Sequence, residues 1–396
     1  MKSAQSNVMR RAAVCGVLVS AVHALAHAQT EHDQPVRVES RGPVLAGSLV
    51  ATRDDAWTRA FARDEGITSF DGCASLALSD GRVLWLFSDS IVGRIEKGKC
   101  APGLKIVNNA VAITRGSETA PEFFWGHGDT PRAMFPCVRA GEWYWLPGGA
   151  VDAGEQGPLV IFGARMGRTG KPDAGVWDFE GRGSDAIVIE NPRDGPGAWR
   201  WHAHELFGAD GGKAGRRRAW GAAAVRDGDA SYVFGIDSTD VFHKELLVAR
   251  CPAKMVACRD AWEFRGADGA WSRRPQDAAP VCDAMADEFT ISRVEGGYVM
   301  IHMEANLGRR VMVRRSAAID GPWSDGQAVY TAPEPDLDRR IMVYGAKAHP
   351  EIGGEGLLVS YCVNSSDFWH MLSDATIYRA RFVRVRGEEM ERRREK

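Results

Sequence analysis

The 396-residue chain carries a formal net charge of −2, so no global field favours nucleic acid or an anionic membrane surface. Its length allows one large all-β or α/β-barrel domain as readily as two smaller ones. Glycine (44) and tryptophan (13) are abundant while long helical patterns are scarce, and no P-loop, strand-linked GxGxxG or serine nucleophile elbow occurs, which turns attention from nucleotide chemistry to a β-rich, turn-dense protein.

Arg10 and Arg11 precede an apolar run from Ala12 to Leu25, followed by Ala26-His27-Ala28 before Gln29. This pattern reads as a secretory signal peptide cut near Ala28, and it predicts a secreted or periplasmic protein. The run is too short for a comfortable membrane span, and nothing else in the chain is apolar enough to make one. Beyond the leader remain Cys73, Cys100, Cys137, Cys251, Cys258, Cys282 and Cys362. An oxidising compartment predicts disulfides, with Cys251–Cys258 as the best-placed pair across a short loop. No CxxC or HxxxH spacing argues for zinc.

Residues 29–60 form a polar lead-in that ends near Asp54-Asp55-Ala56-Trp57 in an approach strand or short helix. Ser69–Gly93 then predicts a hairpin, with strands Phe70–Leu78 and Val83–Asp89 around Ser79-Asp80-Gly81, because Asp-Gly between apolar runs is a strong hairpin signal. A three-residue bulged turn pairs Leu78 with Arg82 and sets Asp71 opposite Asp89. A two-residue turn puts the same carboxylates diagonally on opposite faces. In both registers they reach one open end, where like charges push each other's pKa values apart.

The same strand–turn–strand–strand grammar recurs at Trp143–Val151 with Pro158–Ala164, Trp220–Val225 with Ser231–Ile236, Glu288–Val294 with Tyr298–Met303, and Val343–His349 with Gly356–Asn364. Five such units predict an all-β fold, a five-bladed β-propeller over residues 61–387, with a charged tail at 388–396. A pair of β-sandwiches suits this regular punctuation less well.

Innermost strands of a propeller line its channel, so their first residues gather at one mouth. These are Asp71, Trp145, Trp220, Asp287 with Glu288, and then Tyr344, Lys347 and His349. Carboxylates that protonate a leaving oxygen and attack or activate water, with aromatic faces to hold sugar rings, are what glycoside hydrolysis needs. Asn108, Asn109 and Asn364 read either as turn formers or as polar strand residues suited to binding hydroxyls. Each also has a plainer reading: inter-blade packing for the two indoles, solvated loop positions for Lys347 and His349, and an ion pair with Arg293 or Arg314 for Glu288.

The segments FDGCASLALSDGRVLWLFSDSIVG, IVNNAVAI, WYWLPGGAV, ADEFTISRVEGGYVMIH and YGAKAHPEIGGEGLLVSYCVNS resemble a secreted five-bladed propeller family long labelled a domain of unknown function, related to the furanosidase propellers. The resemblance covers most of residues 65–385. It implies activity on furanose-containing polysaccharide, since some members are endo-acting D-arabinanases in which a first-blade aspartate pair is implicated. By motif position that pair is Asp71 and Asp89, and Glu288 is the nearest candidate for the general acid that a later blade supplies in furanosidase propellers. The chain departs from the family pattern at Cys73 and at Gly149, where an acidic residue often stands.

The expectation is a glycoside hydrolase with Asp71, Asp89 and Glu288 as catalytic acids and Asn109, Trp145, Trp220, Tyr344, Lys347, His349 and Asn364 binding a glycan. A non-catalytic glycan-binding propeller is the alternative. No cofactor is specified, and a structural calcium in the channel is compatible with such folds without a ligand set to mark it.

Overall fold

The computed structural model describes residues 47–115, 120–171, 178–209, 216–240 and 242–387, all within one compact unit spanning 42–396. The leader at 1–28, most of the lead-in and the charged tail at 388–396 lie outside the described residues. Five small antiparallel sheets form a ring, a five-bladed β-propeller, with short helices at Asp55–Ala60, Glu334–Leu337 and Phe368–Ser373.

Blade one runs outward from Glu65–Ala77 through Arg82–Glu96 and Ala110–Arg115 to Glu122–Phe124. Blade two starts on an interrupted inner strand, Glu142–Trp145 and Ala150–Asp152, and continues through Leu159–Gly167, Glu180–Ile189 and Trp201–Gly208. Blade three is Arg217–Asp227, Ala230–Ser238, Lys244–Pro252 and Glu263–Arg265, with Trp271–Ser272 at its edge. Blade four is Phe289–Val294, Gly297–Met303, Arg310–Ser316 and Gln327–Thr331. Blade five is Ile341–His349, Leu357–Ser365 and Ala380–Gly387, and its outer strand is Leu49–Arg53, drawn from the segment read as lead-in.

That last pairing closes the ring. Leu49 lies opposite Gly387 and Arg53 opposite Val383, so a strand from the start of the fold and one from its end share a sheet. Asp54 then caps the following helix by accepting from the Trp57 amide, while its other oxygen takes Arg384 Nε at 3.0 Å.

Each blade is buried on both faces, which is why its middle strands read as unbroken apolar runs instead of an alternation. Along Arg82–Glu96, Val83, Trp85 and Phe87 pack toward blade five, whereas Leu84 and Leu86 pack toward blade two. Along Gly297–Met303, Val299 and Ile301 join the core against blade five, and Tyr298 and Met300 join the core against blade three. Wedging successive blades together in this way aims their inner strands at a common axis.

The cysteine expectation is corrected. None of the seven cysteines forms a disulfide: Cys251 is packed into the core between blades two and three, and Cys258 ends the turn that follows, its amide on the Met255 carbonyl at 2.8 Å.

Candidate active site

The blade-one hairpin turns as the bulged form requires. Leu78 N donates to Arg82 O at 2.8 Å, Gly81 has φ +83°, and Ala77 pairs with Val83. Further along, two bulges interrupt the ladder at Phe70–Gly72 and Gly72–Ala74, so Asp71 does not pair squarely with Asp89. Gly72 (φ +89°) and Cys73 (φ +63°) hold the left-handed conformations that make these bulges. Only glycine fits at 72, because a Cβ there would lie 3.0 Å from Ser88 N. A left-handed Cys73 costs about 1–3 kcal/mol. The distortion re-aims Asp71 toward the mouth, a common use of bulges beside reactive groups.

Three carboxyl groups meet there. Asp71 Oδ2 accepts from Tyr344 OH at 2.9 Å, and Tyr344 in turn accepts from Asn364 Nδ2 at 3.1 Å. Asp71 Oδ1 is buried without a hydrogen-bond partner. Loss of hydration pushes the Asp71 carboxyl well above the usual range, and the nearby charges of Asp89 and Glu288 push it further, against the Tyr344 and Tyr378 hydroxyls. Asp89 is held as an acceptor: its Oδ1 takes Asn108 Nδ2 at 3.0 Å and Trp145 Nε1 at 2.9 Å, and Tyr378 OH donates to its backbone carbonyl at 3.0 Å. Burial raises the Asp89 carboxyl too, and the Asn108 and Trp145 donors restrain the rise.

Glu288, at the entrance to blade four, is ion-paired with Lys347 of blade five, not with Arg293 or Arg314. Lys347 is 0% exposed, so the pair neutralises a charge that water does not reach from the lysine side. The approach depends on Gly345 (φ +64°), whose Cβ, if present, would lie 3.3 Å from Glu288 Oε1. A register shift between Tyr344 and Lys347 places both side chains at the same mouth. Asp71, Asp89, Glu288, Trp145, Tyr344, Lys347 and Asn364 therefore form one connected group.

The other three expected binders lie elsewhere. Asn109 is fully buried and staples blade one to blade two, donating to the Phe135 and Tyr144 carbonyls and accepting from Phe135 N at 2.7 Å. It sits in the gap between strands Lys105–Val107 and Ala110–Arg115. Trp220 is 3% exposed and packs between Phe207 and Phe264, with centroids 5.5 and 5.2 Å away. His349 is fully buried, with one ring nitrogen on Ser75 Oγ and the other on Ser360 Oγ at 2.9 Å, and burial holds it neutral. None of these three can touch a glycan, and neither can Lys347, whose fully buried ammonium is committed to Glu288.

Tyr378 carries no signal in the sequence, and Asn108, one of the asparagines suited to hydroxyls, serves Asp89 instead. Tyr378 sits in an irregular segment with φ +61°, where no periodicity marks it, and Asn108 looks like any turn asparagine until Asp89 is placed beside it.

The group holds three acids against one cation, so it favours keeping a proton. Asp71 lacks a cationic partner, Asp89 is fitted with two N–H donors, and Glu288 is neutralised. Burial raises both aspartates, but their partners differ, and neighbouring carboxyls in unequal surroundings are the arrangement that separates acid and base roles. Among the described residues no group of three or more His, Cys, Asp or Glu is arranged to hold a metal ion. Two cavities of about 480 Å³ lie away from this group, one beside Tyr298 and Trp323 and one beside Trp262 and Phe264.

A Bacteroides ovatus protein described as a candidate hydrolase shares this fold, with a TM-score of 0.68 at 18% identity over 93% of this chain and 98% of that one. More distant is an α-L-arabinofuranosidase of Podospora anserina (TM-score 0.45, 9% identity, 86% of this chain and 95% of that one). An exo-β-1,3-galactanase of Phanerochaete chrysosporium is similarly remote (0.43, 10%, 85% and 64%), and likenesses at that distance carry no argument about activity. No curated protein matches the chain. Residues 54–388, well over half of its length, match the family described as a domain of unknown function, DUF5005, and the chain belongs to that family.

Proposed function

We propose that this protein is an exported glycoside hydrolase that cleaves furanose-containing, arabinan-like polysaccharide with carboxyl groups of blades one and four. The observation that carries the reading is the setting of Asp71: one carboxyl oxygen is buried without a partner, the other rests on Tyr344, two further acids face it and no cation pairs with it, a setting that pushes its pKa well above the usual range. Asp71 then protonates the leaving glycosidic oxygen. Asp89, its Oδ1 fixed by Asn108 and Trp145, is the carboxylate that attacks the anomeric carbon or takes a proton from water. Glu288, neutralised by Lys347, sets the field in which Asp71 retains its proton. Trp145 offers a ring beside the reacting groups for a sugar to pack on.

The test is to incubate the purified protein with plant arabinan, arabinogalactan, lipoarabinomannan and fructan, and to resolve released sugars by anion-exchange chromatography. Release from an arabinose polymer is the expected result. Retention of a polymer with no product over a long incubation would replace this reading with a glycan-binding propeller.

A further inference from the structure

Helix Phe368–Ser373 connects the second and third strands of blade five, between Asn364 and Tyr378. Both flanking residues belong to the carboxyl group just described, so the helix lies on the same face of the ring. It is anchored from below. Met371, with Phe368 and Leu372, packs on Ile91 and Tyr378. Asp367 caps it through the Trp369 amide at 3.0 Å, and Ala375 N reaches Gly98 O of blade one at 2.9 Å. Against this fixed underside Trp369 is 75% exposed, the only tryptophan among the described residues that folding leaves in solvent to that degree. Its nearest ring contact is its own neighbour Phe368, edge-on at 5.8 Å.

Burying a large apolar side chain is worth about 1.5–3 kcal/mol, and this chain forgoes most of that at Trp369 while fixing the backbone that carries it. Blade one packs between blades five and two, so its carboxyls belong to the blade that separates the one carrying the Trp369 helix from the one carrying Trp145. We infer that Trp369 is a sugar-stacking residue for units of the polysaccharide several residues from the cleaved bond, on the opposite side of the carboxyls from Trp145. Pyranose and furanose rings present C–H faces that pack on an exposed indole, and a rigid helix holds that indole ready. The inference rests on the glycan reading above but not on hydrolysis.

The test is affinity electrophoresis in native gels containing linear arabinan or arabinogalactan, compared with calorimetric titration of arabinobiose. Trp369→Ala should weaken retention by the polymer about three- to tenfold, Trp369→Phe by less than about twofold, and arabinobiose affinity should change by less than about twofold in either variant. Unchanged retention of Trp369→Ala, an equal loss for disaccharide and polymer, or no retention of the wild-type protein on either polymer would overturn the inference. Wild-type retention without product release would instead remove the hydrolase reading and leave this comparison to be decided by the variants. Trp369 is exposed, so the variants should melt with the wild-type protein, which separates lost stacking from lost fold.

Discussion

The two sides of the propeller's channel are built from different materials. Blades four, five and one meet through Glu288, Lys347, Tyr344 and Asp71, joined by an ion pair and a hydrogen bond that cross from blade to blade, and Ser75 with His349 joins blades one and five within the buried interface. Blades two and three come together through backbone instead. Gly149 N donates to Gly221 O at 3.1 Å, and a Cβ on Gly149 would lie 2.4 Å from that same oxygen. A Cβ on Gly148 would lie 2.9 Å from Ala74 Cβ of blade one, 3.3 Å from Ala222 O of blade three and 3.4 Å from Lys347 Cε of blade five. Peptide groups of blade two thus approach blades one, three and five at once. The comparison explains a departure visible in the sequence: an acidic side chain at 149 has no room once blades two and three are in backbone contact. The carboxyls and the lysine all come from blades four, five and one; blade two adds the Trp145 indole, and otherwise blades two and three meet through backbone.

Breaking the charged half should have the larger consequence. Lys347→Met leaves Glu288 beside two other acids without its cation, so hydrolysis of an arabinose polymer should fall by about a hundredfold or more. Leaving a buried charge unpaired should also cost about 3–5 kcal/mol of stability, read by urea unfolding. Breaking the glycine half should cost stability alone. Gly221 has φ +96°, and a Cβ there would lie 2.6 Å from Phe162 Cβ. Gly221→Ala should therefore lose about 2–4 kcal/mol, with turnover per folded molecule within about twofold of wild type.

A milder consequence lies in how stability depends on pH. Burial pushes the Glu351 carboxyl up from 4.5 to about 7, and its Oε1 is buried without a partner. The native state keeps a proton there that the unfolded chain has released, so this residue's contribution to stability declines as pH rises from about 4.5 to about 7 and is level above that. Glu351→Gln lacks the decline. Its melting temperature should exceed that of the wild type above about pH 7 and meet it near about pH 4, as followed by circular dichroism.

Much of this arrangement was legible in the residues. The Asp-Gly turn, the repeated hairpins and the polar strand starts lead to a five-bladed ring with Asp71, Asp89, Glu288 and Lys347 at one mouth. What the chain order hides is long-range. Nothing local in Leu49–Arg53 shows that its partner lies more than three hundred residues away, at Ala380–Gly387. The bulges at Gly72 and Cys73 depend on left-handed backbone that cysteine rarely adopts, so no propensity announces them. Asn109, Trp220 and His349 resemble binding residues by type, yet each satisfies its polar or aromatic group across a blade interface, and only the neighbouring blade reveals that.

The claim on which the rest depends is that Asp71 carries the proton that cleaves the sugar bond, and Asp71→Asn tests it most directly. The amide keeps the Tyr344 contact and removes a desolvated acid, so the variant should melt at or above the wild-type temperature at neutral pH and still be retained by polymer-containing gels. Reducing ends released from an arabinose polymer should fall about a thousandfold or more. Near-wild-type release by a folded Asp71→Asn protein would contradict the account.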